Sequence, residues 1–247
     1  MKIIISPTKR MIENNDCFVY QALPIFLDEA NVLLDNLKKM SYHQLKSIYQ
    51  CNDNIALVNY ERIGQMDLKV NLTPALFAYE GLAFQHIRPN VCSDDQLAYL
   101  QDNLRILSAF YGILKPFDGI VSYRLEMGCD MVVGDYHNLY DFWGCKIFSQ
   151  LVKDDNIILN LASKEYYKVI SKYVSKDVKF VTCVFLQDHF GKYVEKGTVC
   201  KMARGEMVRY LAVNKIDNFS GVKKFSELGF YYSEELSNDE KIVFIKE

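Results

Sequence analysis

The sequence predicts a mixed α/β fold of the α+β kind. We expect one domain over residues 1–247, with a mixed sheet flanked by helices and a helix-hairpin-helix-like segment at about 41–64. Three observations carry this reading. Short apolar runs alternate with segments of helical period and no constant repeat, as when strands and helices share one core. A hairpin pattern late in the chain argues against a purely parallel sheet. No low-complexity linker or internal period divides the chain.

The elements follow in order. "KIIIS", Lys2 to Ser6, is a short buried strand ended by Pro7, which cannot donate to a ladder. Leu27, Val32, Leu33, Leu34 and Leu37 carry a helical period within 23–40. Ser41 with Gln44 forms a capping box for a helix to about Gln50, "CNDN" breaks it, and Asn54 is placed to cap a third helix ending near Gly64. Thr73-Pro74 predicts a helix start and Gly81 its stop. Ser93 with Gln96 opens another helix, which β-branched and aromatic residues turn into a strand near Arg105. We expect one helix over 139–152, a buried strand in "NIILNL", and a helix capped by Ser163 running through Tyr173. "VKFVTCVFLQ" and "KYVEKGTV" flank "DHFG" as a hairpin. "CKMARGEMVRYLAV" is helical, and "IVFI" is a terminal strand.

Half the residues are apolar, enough for a sizeable core. With 29 Lys and Arg against 31 Asp and Glu, the formal charge is -2. That excludes the global basic excess of a protein that coats nucleic acid or an anionic membrane, so any anion site must be a local cluster. No apolar run reaches membrane-span length and "MKIII" is too short for a signal peptide, so we expect a cytoplasmic protein with no membrane partner. The seven cysteines are odd in number and widely spaced, which fits free, mostly buried thiols in a reducing compartment. His43, His86, His137 and His189 form no ligand pair at helical spacing, so no metal and no cofactor are expected.

Several stretches could carry chemistry. Ser6-Pro7-Thr8-Lys9 formally matches the serine-nucleophile motif S-x-x-K, but its S-D-N and K-T-G partners are absent. A loop leaving a buried strand, where backbone amides and Lys9 meet an anionic ligand, is the better reading. Lys201 and Arg204 are i, i+3 neighbours on one helix face, able to hold a phosphate or carboxylate together. Gly205 beside them costs about 1 kcal/mol in a helix interior and points to a close approach by chain or ligand. Arg105 and Arg124 sit among residues that favour burial and therefore need carboxylate or carbonyl partners, with Glu126 and Asp118 near in sequence. Asn160 and Ser163 stand where a strand gives way to a helix, the usual ligand position in α/β proteins. Trp143 reads as core.

Taken in order, "IIISPTK", "LRILSAFYGILKPFD", "YRLEMG", "LYDFWG", "NLASKEY" and "KMARG" resemble the YaaA family of bacterial peroxide-stress proteins over nearly the whole chain. The resemblance implies a helix-hairpin-helix element, DNA binding, and protection against hydrogen peroxide through lower free iron. It places motif positions at Ser6, Lys9, Arg105, Ser108, Tyr111, Tyr123, Arg124, Glu126, Trp143, Asn160, Ser163, Glu165, Lys201 and Arg204. The chain departs from the family where "GDVY" becomes Gly81-Leu82-Ala83-Phe84, where "SGLYG" becomes "SAFYG", and where Asn54 fills the hairpin's lysine position.

Two functions are carried forward. In the first, the chain binds DNA in the response to oxidative stress, with the hairpin and the Lys201/Arg204 face on phosphates. In the second, it is an enzyme or ligand-binding protein whose mixed-charge pocket takes a small anionic or nucleotide-like molecule. The binding set would be Ser6, Lys9, Arg105, Arg124, Asn160, Ser163, Lys201 and Arg204, and Glu126 is the candidate to orient a base or move a proton.

Overall fold

The computed structural model describes residues 1–13 and 18–247. β1 (Lys2–Ile5) lies at its centre, with Ile3, Ile4 and Ile5 all buried. Loss of alternation marks a strand covered by helices on both faces. After the loop comes β2 (Arg10–Met11), then α1 (Leu27–Lys39), which turns Ala30, Leu33, Leu34 and Leu37 inward.

The expected capping box at Ser41 and Gln44 opens α2 (Tyr42–Tyr49). The next cap differs from expectation: Asn52, in extended conformation, accepts the Ile55 N–H at 3.0 Å and opens α3 (Asp53–Gln65), leaving Asn54 inside the helix. Thr73-Pro74 does not start a long helix either. It forms β3 (Thr73–Pro74), followed by the single turn of α4 (Ala75–Ala78) and β4 (Tyr79–Glu80). Gly81 then precedes α5 (Leu82–Ile87), so it begins a helix where a stop was expected. The pairing of β3 with a distant strand overrides the local helix signal, which is how tertiary context commonly defeats propensity.

The second capping box opens α6 (Asp94–Asn103), which passes directly into β5 (Leu104–Ser108) as the β-branched run predicts. β6 (Gly112–Leu114) and β7 (Gly119–Ile120) follow. The helix expected over 139–152 divides into α7 (Leu139–Trp143) and α8 (Lys146–Asp154), because Gly144 takes φ +48 between them. Trp143 is fully buried and donates Nε1–H to the Ala109 carbonyl at 2.8 Å.

The chain continues through β8 (Ile157–Asn160), α9 (Lys164–Ser171), β9 (Lys179–His189), β10 (Lys192–Val194) and α10 (Gly197–Asn214). The hairpin is present, but its second strand ends five residues early. All three β10 residues are exposed, so no core contact extends it. α11 (Phe219–Val222), β11 (Tyr231–Ser233) and β12 (Lys241–Lys246) close the fold, β11 having given no sequence signal.

Among the described residues the main sheet has eight strands in the order β11-β12-β9-β8-β1-β5-β6, with β10 on β9. The five from β12 to β5 are mutually parallel, and β11, β6 and β10 are antiparallel additions. From β1 the chain moves to one side, to β5, and then returns to β8 on the other. Such a reversal opens a crevice beyond the carboxyl ends of the two strands flanking it. Ser6 follows β1 and Ser163 follows β8, so the order of strands brings together two loops more than 150 residues apart in sequence.

Six described cysteines are free thiols, and Cys17 lies outside the described residues. Cys129, Cys183 and Cys200 are buried as expected, whereas Cys145 is exposed. Among the described residues no helix is long and apolar enough to cross a membrane.

Candidate functional site

A cleft of about 390 Å³ opens at the switch point. β1 and the loop after it supply Ile5 to Arg10, one wall is Glu80 to Ala83, and α10 contributes Lys201 and Arg204. The segment 123–126 and the start of α9 complete it.

The segment "YRLEMG" lies outside any strand but alternates in burial: Tyr123, Leu125 and Met127 are buried while Arg124 and Glu126 are partly open. Period two sends side chains i and i+2 to one side, so the two charges enter the cleft together. Glu126 lies between two cations, with Oε2 2.5 Å from Lys9 Nζ and Oε1 3.4 Å from Arg124 Nη2. Lys9 is thus engaged by a carboxylate and does not serve Ser6 as a base. Ser6 Oγ accepts the Ser163 N–H at 2.8 Å and sits 3.1 Å from Ser163 Oγ. Ser163 does occupy the N-cap position of α9, but its side chain makes no cap bond.

Beneath these charges the floor is aromatic and buried. Tyr123 OH hydrogen-bonds with Ser108 Oγ at 2.7 Å and with Tyr79 OH at 2.8 Å. Burial pushes the Tyr123 phenol up to about 12, although bonds from Ser108 and Tyr79 pull it down. Burial likewise raises Tyr166 far above the usual phenol range, and the nearby Tyr123, Glu165 and Glu126 raise it further. Both phenols stay neutral at physiological pH and act through hydrogen bonds rather than as bases.

The roof depends on Gly205. A Cβ there would stand 2.0 Å from the Ala83 carbonyl oxygen, so α5 packs against α10 only because the side chain is missing. The approaching element is therefore chain, not ligand. His86 Nδ1 to Glu206 Oε2 at 2.9 Å ties the same helices. Thr8 packs against Gly81 in the same way, and Arg10 meets Glu80 at 2.6 Å across the rim.

Three buried atoms of cleft-lining residues make no hydrogen bond among the described residues, and one of them, Glu80 Oε2, still has Arg10 Nε at 2.6 Å as an ion-pair partner, which leaves two guanidinium atoms. Arg124 Nε and Arg204 Nε are buried with no hydrogen-bond partner among the described residues, and both residues line the cleft. A buried guanidinium N–H without an acceptor costs on the order of 1–3 kcal/mol, a cost that an arriving anion removes. The apolar surfaces of Ile5, Leu82, Leu125 and Leu161 leave room beside them for an uncharged body.

Of the residues expected from sequence, Ser6, Lys9, Arg124, Glu126, Ser163, Lys201 and Arg204 converge here. Arg105 does not. Its Nε and Nη2 reach Asp154 Oδ2 at 3.0 and 2.7 Å, and its Nη1 donates to the Gln101 and Leu104 carbonyls, so its expected partners Glu126 and Asp118 are replaced by a side chain of α8. Asn160 is also outside the cleft lining. It is fully buried, bonded to Thr182 Oγ1 and the Ala162 N–H, and shapes the turn that delivers Ser163. Sequence reasoning did not select Arg10, Glu80 or Tyr166, and it named Glu165 as a motif position of the resemblance without placing it in the binding set. Arg10 and Glu80 face one another through the pairing of β2 with β4, which no local pattern announces. Among the described residues, no group of three or more His, Cys, Asp or Glu side chains gathers as a metal would require.

The family model for peroxide stress protein YaaA matches residues 1–236. A UPF0246 protein of Lachnoclostridium phytofermentans is 51% identical over 246 residues, covering 100% of this chain and 96% of that relative. UPF0246 proteins of Agathobacter rectalis and Pediococcus pentosaceus are 48% and 44% identical, covering 99% and 100% of this chain and 98% of each relative. With a match over almost its full length and relatives near half identity, the chain belongs to the YaaA family of peroxide stress proteins.

Proposed function

We propose that this protein serves the peroxide-stress response by binding a small, phosphate-bearing, nucleotide-sized ligand in the cleft at the switch point. One observation carries the reading: Arg124 and Arg204, each with a buried Nε that has no hydrogen-bond partner among the described residues, line the same cavity. Guanidinium groups favour phosphate and carboxylate oxygens through charge-assisted bonds. Lys201 adds positive charge on the Arg204 face, and about 390 Å³ falls within the usual range for a small-molecule site. Glu126 orients Lys9 and Arg124 in this reading, with both oxygens facing cations, and no proton transfer is assigned to it. The test is thermal stabilisation by inorganic phosphate and 5′-mononucleotides against the matching nucleosides. Phosphate-bearing probes raise Tm with concentration and nucleosides do not; equal, or no, response to both sets rejects it.

A second reading is DNA binding with limitation of iron-dependent damage, as the family resemblance implies. One feature favours it: the turn after α2, at Gln50, borders a depression whose walls include Lys9, Glu126 and Glu165 of the cleft. A strand held at that turn would pass the cleft mouth. The turn carries no glycine, and Lys46 beside it is paired with Asp53 at 2.7 Å, which weakens its grip on phosphate. Duplex, single-stranded and junction DNA titrated over a range of salt decide it. Binding that falls steeply as salt rises supports the reading, and absent or salt-independent binding removes it.

A further inference from the structure

The depression beside the cleft encloses about 270 Å³ between Lys9, Ile48, Tyr49, Gln50, Glu126, Gly128, Cys129 and Glu165. It has the opposite electrostatic character from the arginine wall. Glu165 makes no ion pair among the described residues. Its Oε1 accepts the Gly128 N–H at 3.1 Å and it stands in the first turn of α9, whose dipole favours a negative charge there, but no cationic side chain pairs with it among the described residues. The depression lies at the C-terminus of α2, where the helix macrodipole places partial negative charge. Lys9, the one cation on its wall, is already held by Glu126 at 2.5 Å. Tyr49, only 2% exposed, contributes a phenol oxygen with no hydrogen-bond partner, able to accept from a donor. The negative field is felt by Cys129 as well: burial and, after it, the charge of Glu126 push the thiol up to about 12.

The two cavities share a partition made by Lys9, Glu126 and Glu165. One side offers unpartnered guanidinium N–H groups; the other offers an unpaired carboxylate, a helix C-terminus and an unpartnered phenol. We infer that the depression is a subsite for a protonated amine, so that the ligand is zwitterionic, with its phosphate in the cleft and its ammonium against Glu165. This rests on the proposed anion site.

Calorimetric titration with ω-aminoalkyl phosphates of two to six carbons, each against the alkyl phosphate and the ω-hydroxyalkyl phosphate of equal length, tests it. At the length that spans the partition, the amine binds at least about tenfold tighter than either control, the size of one charge-assisted contact. In Glu165→Gln, whose amide oxygen can still accept the Gly128 N–H, that preference disappears while the alkyl phosphates bind at least as tightly as before, since a negative charge is removed from the shared partition. Equal affinity for the three series, or a preference that survives Glu165→Gln, overturns the amine subsite and leaves the anion site standing. A preference for the hydroxyl series overturns it in favour of a diol-binding depression. No binding of any phosphate overturns both.

Discussion

The Ala83 carbonyl oxygen lies directly over Gly205, closer than any side chain on that residue would allow. Because the obstacle is backbone on a second helix, no rotamer change can relieve it. Gly205→Ala must push α5 from α10, and Leu82, Ala83 and Arg204 line the cleft between them. We expect a loss of about 2–3 kcal/mol, as for overpacking against a rigid neighbour, measured as a lower denaturant midpoint at unchanged slope. A variant as stable as the parent would show that the helices are not locked at this point.

Asp118 makes stability depend on pH. Burial pushes its carboxyl from 3.8 up to about 6, outweighing the bond from the Lys115 N–H and the charges of Lys115 and Arg105 that lower it. The folded state therefore holds this proton more tightly than the unfolded chain. Its contribution is fully present below about pH 4, declines as pH rises to about 6, and is absent above, a total of roughly 2–3 kcal/mol by linkage. Asp118→Asn, keeping an acceptor for the Lys115 N–H, removes this decline. The difference between parent and variant stabilities, followed by urea unfolding from pH 4 to 7, should change by that amount in favour of the variant; a pH-independent difference contradicts the assignment.

Phe190 is 94% exposed at the tip of the β9–β10 hairpin, and it and Gly191 have φ +55 and +79. Two consecutive positive φ values are those of a type I′ turn, whose first central position favours Asn, Asp or Gly. A bulky side chain there is strained and gains nothing from burial. Phe190→Asn should raise stability by about 0.5–1 kcal/mol, read from the urea midpoint. A loss would mean that the edge-on contact of the ring with His189, centroids 4.7 Å apart, outweighs the strain.

Much of this architecture is legible in the sequence because its determinants are local. The capping boxes at Ser41/Gln44 and Ser93/Gln96, the run Ile3-Ile4-Ile5 and the turn before Lys192 each act within a few residues, and all appear where expected. Apart from the shift of a cap to Asn52 and the break at Gly144, failures occur where distant pairing decides. Thr73-Pro74 becomes a strand because β7 lies beside it, and Arg105 meets Asp154 because α8 packs there. The same division holds in the cleft. Arg124 and Glu126 belong to one alternating segment and could be assigned together, whereas Glu80 reaches the site only through the pairing of β4 with β2.

Whether the unpartnered guanidinium groups receive an anion decides what the cleft does. The most direct measurement is calorimetric titration of a 5′-mononucleotide into the parent protein and Arg204→Ala, with Tm recorded for both. Removing one charge-assisted contact of about 1.5–3 kcal/mol should weaken binding by roughly 10- to 100-fold. Tm without ligand should hold or rise, since a buried unpaired N–H is removed. Unchanged affinity in Arg204→Ala, or no binding to the parent protein, would contradict the central claim.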